Sequence, residues 1–236
     1  MSTKADVRRL RRLASCDAPS DPGCPKLDNR ESQVSISSFF VLQEKPNLIL
    51  LRLQSADQTN RLTRDCVSDL QTVLREISTR NLPLVIAGNE TFFSAGADLK
   101  EISDLTGPAA YEFSKKGQAL MNLIAHFPSP VYAAISGYCM GGGLDLALAC
   151  HRRISSTNAV FGHRGAALGL ITGWGGTQRL PRLVGKGVAL QMFVAAEKIS
   201  AQRALAIGLV DALVDDPVSE CTRRIESGHP LPEQRG

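Results

Sequence analysis

The chain has 236 residues, 43% hydrophobic and 21% charged, with a formal net charge of +4. That apolar content can bury a substantial core, as one large domain or one domain with appendages. The charge is too small and too dispersed for a nucleic-acid binder, and no apolar run approaches the roughly 20 residues of a membrane span.

Residues 1–34 are polar, carry Pro19, Pro22, Gly23 and Pro25, and show no sustained period. They predict a flexible N-terminal extension. Its basic stretch VRRLRRL, residues 7–13, reads as a short amphipathic or unstructured piece and not as an RNA-binding arm. It lacks the apolar block of a secretory signal, and Asp6, Asp17 and Asp21 argue against a transit peptide. The six cysteines (16, 24, 66, 139, 150, 221) show neither paired metal spacing nor a disulfide-dense pattern. Reduced thiols in a cytoplasm are expected, with no metal site.

From Ser38 the character changes. FFVLQE and NLILLRL predict two strands joined by a turn at Lys45-Pro46-Asn47. LTRDCVSDLQTVLREIS places Leu62, Val67, Leu70, Val73, Leu74 and Ile77 on one helical face, with Thr63 as N-cap. LPLVIAG is uniformly apolar, as a strand covered on both faces would be. The pattern then repeats: a helix over 108–126, the strand VYAAIS, and a triple glycine leading into the helix LDLALAC. RRISS and AVFG precede a glycine-rich loop at 169–176, helices near 177–184, 187–196 and 201–207, and a last strand or edge in LVDALV. Strands alternating with helices imply an α/β fold with a parallel-type sheet.

Two strand ends invite comparison. LVIAG runs into NETFFSAGADLKEIS, and YAAIS runs into GYCMGGGLDL. In open α/β folds ligands gather at the carboxyl ends of strands. Glycine and alanine there allow close approach to the backbone, and the first amides of the following helices lack intrahelical partners. Two such amides aimed at one point would stabilise negative charge on a carbonyl oxygen.

SAGADLKEIS, ISGYCMGGGLDLALAC, GLITGWGGTQRLPRLVGKGVAL and ISAQRALAIGLVDALV, in that order, resemble the enoyl-CoA hydratase/isomerase (crotonase) superfamily. The resemblance runs from about Ser38 to about Val214. It implies a crotonase-like spiral of repeated ββα units over residues 35–215, an acyl-CoA thioester substrate, no resident cofactor, and a homo-oligomer, trimer or hexamer. It assigns the two oxyanion donors to the backbone amides of Ala97 and Gly142. It also leaves residues 216–236 as a short C-terminal tail, with the family's C-terminal helices largely absent.

The acids depart from the family pattern. Hydratases of the family carry two glutamates that position and activate a water. This chain has Asp145 at one of those positions and Gly165, within FGHRG, at the other. Asp145 reads either as a catalytic acid or base, or as an acid stabilised near a helix start. His163 and Arg164 flank the lost glutamate. His163 suits proton transfer near neutral pH, and the plainer reading makes both residues surface or salt-bridging groups of a rebuilt loop. Trp174 divides evenly between a wall of the acyl pocket and ordinary core. Asp98 reads as a first-turn helix acid and Lys100 as solvated, with CoA phosphates a second reading for Lys100. Residues 175–179 read as backbone geometry and helix capping. Enoyl-CoA hydration is the expected reaction. Its alternatives are other enolate chemistry on a CoA thioester (isomerisation, decarboxylation or hydrolysis) and a degenerate acyl-CoA-binding subunit.

Overall fold

The apolar runs pair into one large sheet. The computed structural model describes residues 34–228; almost all of the expected N-terminal extension, with Cys16 and Cys24, and residues 229–236 lie outside it. β1 (Val34–Ile36), β2 (Phe40–Glu44) and β3 (Ile49–Leu53) form an antiparallel meander. Between β2 and β3 the Lys45 amide donates to the Leu48 carbonyl at 2.9 Å, closing the expected turn. A two-residue strand, β4 (Arg61–Leu62), leads into α1 (Arg64–Ser78). Thr63 caps α1, its hydroxyl accepting from the Cys66 amide at 3.2 Å. Val67, Leu70, Leu74 and Ile77, three or four apart, form its buried face.

Strand–strand–helix units follow. β5 (Leu84–Ala87), β6 (Phe92–Ser94) and the short β7 (Gly96–Ala97) lead to α2 (Leu99–Ser103) and α3 (Gly107–Ala125). β8 (Val131–Ile135) and β9 (Tyr138–Met140) lead to α4 (Gly142–Ala149). β10 (Arg152–Ser156) and β11 (Val160–Gly162) lead through a 3-10 turn, Gly165–Leu168, to α5 (Gly176–Val184). Then come α6 (Lys186–Val194), β12 (Ile199–Ser200), α7 (Ala201–Ala206), β13 (Ala212–Val214) and α8 (Pro217–Glu226). In each unit the first strand enters a seven-stranded sheet ordered β1-β2-β3-β5-β8-β10-β13. The second enters a four-stranded sheet ordered β12-β11-β9-β6. Stepping from one sheet to the other, then back through a helix, makes the crotonase spiral of ββα units.

The central strands of the large sheet are apolar on both faces because both are covered. On β5, Leu84 and Ile86 join the core beneath α1 and α3, while Val85 and Ala87 point to the opposite cluster. β8 divides in the same way, with Val131, Ala133 and Ile135 against Tyr132 and Ala134. This is the two-residue period of a strand buried twice. The second cluster is closed by α8, whose Cys221 is fully buried in it. So residues 217–226, read from sequence as part of a short tail, form a helix that seals the sheet. Its start is capped by Asp216, whose carboxylate accepts from the Val218 and Ser219 amides.

Candidate active site

The two glycine loops meet where α4 begins. Gly141 is the N-cap of α4, and the first helical bond runs from the Asp145 amide to the Gly141 carbonyl at 3.0 Å. The Gly142 amide therefore has no partner within its helix. Gly96 adopts φ +89°, and a Cβ there would lie 2.8 Å from the Gly142 nitrogen and 2.6 Å from the Met140 carbonyl oxygen. Only glycine takes both that conformation and that approach. From the other side, a Cβ on Gly142 would stand 3.3 Å from the Ala97 nitrogen. The amides of Ala97 and Gly142 thus lie side by side. Ala97 differs from the sequence expectation in one respect: it belongs to β7, one residue before the cap of α2, and not to the first turn of that helix. The cap is Asp98, which accepts from the Lys100 amide at 2.8 Å and sits 3.6 Å from Arg61.

A cavity of about 370 Å³ opens beside these amides. Leu99, Ile102, Leu105 and Phe113 contribute apolar walls, and Asp145, His163 and Trp174 also line it. Trp174 is both pocket wall and core, 3% exposed. Its ring lies 5.2 Å from that of Phe113 and is wedged between α3 and α4. A Cβ on Gly117 would fall 2.1 Å from its Cδ1, and one on Gly142 would fall 2.6 Å from its Cζ3. The glycine at 142 is therefore favoured by the Trp174 ring within the fold, before any substrate is considered.

Asp145 lies one turn into α4 and is buried, at 1% exposure. Its Oδ2 accepts from the Thr172 hydroxyl, and its Oδ1 lies 3.5 Å from Nε2 of His163. Neither Oδ1 nor Nε2 has a hydrogen-bond partner among the described residues. Burial pushes the Asp145 carboxyl up to about 7, against the Thr172 hydroxyl, the Arg179 charge and the nearby Gly176 amide, which pull it down. Burial alone holds the His163 imidazole down to about 4. The surface reading of His163 is overturned: it is 3% exposed and packs on the Phe193 ring at 5.1 Å. Arg164 does face solvent.

Gly165 is a built part of its loop. The Leu170 amide donates to the Gly165 carbonyl at 2.8 Å, and a Cβ on Gly165 would lie 2.7 Å from the Leu170 carbonyl oxygen. Thr172 is not singled out by the sequence, and Arg179 reads there only as part of the backbone geometry and capping of residues 175–179. Thr172 fixes Asp145 from 27 residues away, with no spacing to announce it. Arg179 donates from Nη2 to Asn122 Oδ1 at 2.8 Å and from Nη1 to the Trp174 carbonyl at 3.3 Å, tying α5 to α3 and to the pocket wall. Among the described residues no three His, Cys, Asp or Glu side chains are grouped to hold a metal ion, and no helix is long and apolar enough to cross a membrane.

Comparison with known proteins places the chain in a family. The family profile described as Enoyl-CoA hydratase/isomerase matches residues 43–225. The chain belongs to that family. It is 37% identical over 178 residues to the crotonyl-CoA hydratase of Syntrophomonas wolfei, covering 74% of this chain and 68% of that one. It is 43% identical over 154 residues to a probable enoyl-CoA hydratase of Bacillus subtilis, covering 64% and 60%. Among solved structures, Pseudomonas aeruginosa DspI superposes with a TM-score of 0.78 at 32% identity, over 84% of this chain and 83% of that one.

Proposed function

We propose that this protein adds water across the double bond of a trans-2-enoyl-CoA to give the 3-hydroxyacyl-CoA. The observation that carries the reading is the pair of adjacent amides, Ala97 and Gly142, beside an apolar cavity that the buried Asp145 also lines. The amides would receive the thioester oxygen as it gains enolate charge. Asp145 would supply the proton that the α-carbon needs. Coenzyme A enters as part of the substrate, and the reaction needs no resident cofactor. The named hydratases among the relatives support the same substrate class.

Gly165 favours a second reading, an acyl-CoA-binding subunit without turnover, because its loop leaves no room for the family's other acid. Assembly into a trimer or hexamer, and residence in a cytoplasm, belong to the same proposal; the four described cysteines are free and buried thiols. Crotonyl-CoA incubated with the purified protein separates the two readings by loss of its enoyl absorbance. Turnover that falls about 100-fold or more in Asp145→Ala supports hydration. No turnover with thioester binding intact sinks it in favour of the binding subunit.

A further inference from the structure

We propose that Asp145 and His163 form one acid–base pair holding a single exchangeable proton between Oδ1 and Nε2, so that His163 is the second proton-transfer group of the site. The inference rests on the hydration reading for its chemistry, on geometry for the pairing, and on burial for where the proton sits. Thr172 donates to Oδ2, which commits that oxygen as an acceptor. A proton on the carboxyl then belongs on Oδ1, the atom that faces Nε2 at 3.5 Å. Both atoms are buried and neither has a hydrogen-bond partner among the described residues, while the Gly176 amide also acts on the carboxyl. The fold keeps the space clear: a Cβ on Gly176 would lie 2.1 Å from Oδ1 and 3.1 Å from Nε2.

The surroundings favour the neutral form of the pair. From α6 the His163 ring meets the apolar Phe193. From β9 the nearest titratable group is Cys139, whose thiol burial holds well above its ordinary value, so it stays uncharged. Arg179 on α5 is the cation that acts on Asp145, and the exposed Arg164 adjoins His163 in sequence. With the carboxyl raised and the imidazole depressed by burial, the proton rests on Asp145 and the imidazole is neutral.

That division matches what hydration requires of two groups. Nε2 takes a proton from water as the water oxygen bonds C3 of the enoyl group. The electron pair of the C2–C3 double bond moves into the thioester enolate, and Asp145 delivers its proton to C2. The pair is left as imidazolium and carboxylate, and the proton passes from Nε2 back to Oδ1. One water is consumed and both residues return to their starting state.

The test titrates the full chain with ring-labelled histidine, His163 being assigned by its contact with Phe193. The ring is expected to stay neutral below its ordinary 6.5, and to show a step near pH 7 that reports Asp145. Asp145→Asn should abolish the step and leave the ring neutral. A ring that protonates near 6.5, or a step that survives Asp145→Asn, overturns the pair. On crotonyl-CoA, His163→Gln is expected to lower kcat about 100-fold with little change in KM. A kcat near that of the unsubstituted protein removes His163 from proton transfer. A step in a protein that fails to hydrate crotonyl-CoA sinks the hydration reading while the pair stands, so the two failures are distinguishable.

Discussion

The indole of Trp174 occupies the space that any side chain on Gly142 would need, with Cζ3 only 2.6 Å from where a Cβ would be. The glycine and the tryptophan are one packing unit, and the amide at 142 is held in place by the ring behind it. Gly142→Ala should destabilise the protein by about 1–3 kcal/mol, as overpacking does. Trp174→Ala alone should cost about 3–5 kcal/mol from the cavity it leaves. The double variant should cost less than the sum of the two, because the smaller side chain at 174 relieves the clash. Urea unfolding of the four proteins checks this; strict additivity would mean that the ring and the glycine do not constrain each other.

Local signals in the sequence carried much of this fold. The cap at Thr63, the turn at Lys45-Pro46-Asn47 and the twice-buried strand LVIA all depend on neighbours within a few residues. The small sheet was harder to see, since β6, β9 and β11 are three residues each and too short to show a period. At the site, the positions of Ala97, Gly142 and Asp145 followed from the family motifs. The burial of His163 did not, because it depends on Phe193 and on the α5 start folding over it. Nor did α8 show itself as a cover for the sheet, since its buried face rests on Pro217 and Cys221 amid mostly polar residues.

Restoring the family's missing acid should fail. Gly165→Glu would put a carboxyl at the matching position, yet its Cβ would lie 2.7 Å from the Leu170 carbonyl oxygen in a loop closed by the Leu170 amide. The backbone must move to admit it, at an expected cost of about 1–3 kcal/mol. Turnover of crotonyl-CoA by this variant should be no higher than before. A tenfold gain in kcat would show that the loop yields easily and that one acid was all the site lacked.

Asp211 pins β13 to the large sheet through a buried arginine. Arg153 is 6% exposed and donates from Nε to the Leu209 carbonyl and from Nη1 to the Cys150 carbonyl, both at 2.8 Å. Asp211 supplies the compensating charge: its Oδ2 accepts from the Arg153 amide at 2.7 Å and lies 3.7 Å from Nη2. Removing one partner of a buried pair leaves the other charge uncompensated, typically costing about 3–5 kcal/mol. Asp211→Ala should therefore lower the urea midpoint by that much stability at an unchanged slope. A loss below about 1 kcal/mol would place the pair with weak surface bridges instead.

The Asp145–His163 pair also predicts an unusual flatness of stability with pH. Asp145 is raised from 3.8 to about 7 in the fold, so its contribution is full below 3.8 and is lost as pH rises through 7. His163 is lowered from 6.5 to about 4, so its contribution is present above 6.5 and is lost as pH falls through 4. Between about 4 and 6.5 the folded pair holds one proton, on Asp145, and the unfolded chain holds one, on the histidine. Equal proton counts give no slope, and the two effects cancel. Asp145→Asn removes one side of the balance, so stability should then fall with acid across that window by up to about 1.4 kcal/mol per pH unit. His163→Gln removes the other, and stability should fall as pH rises from 3.8 to about 7. Unfolding free energies of the three proteins, measured at half-unit steps of pH, read these slopes directly. Slopes of opposite sign in the two variants are the expected result; the same sign in both would mean that burial does not hold one of these groups in its neutral form.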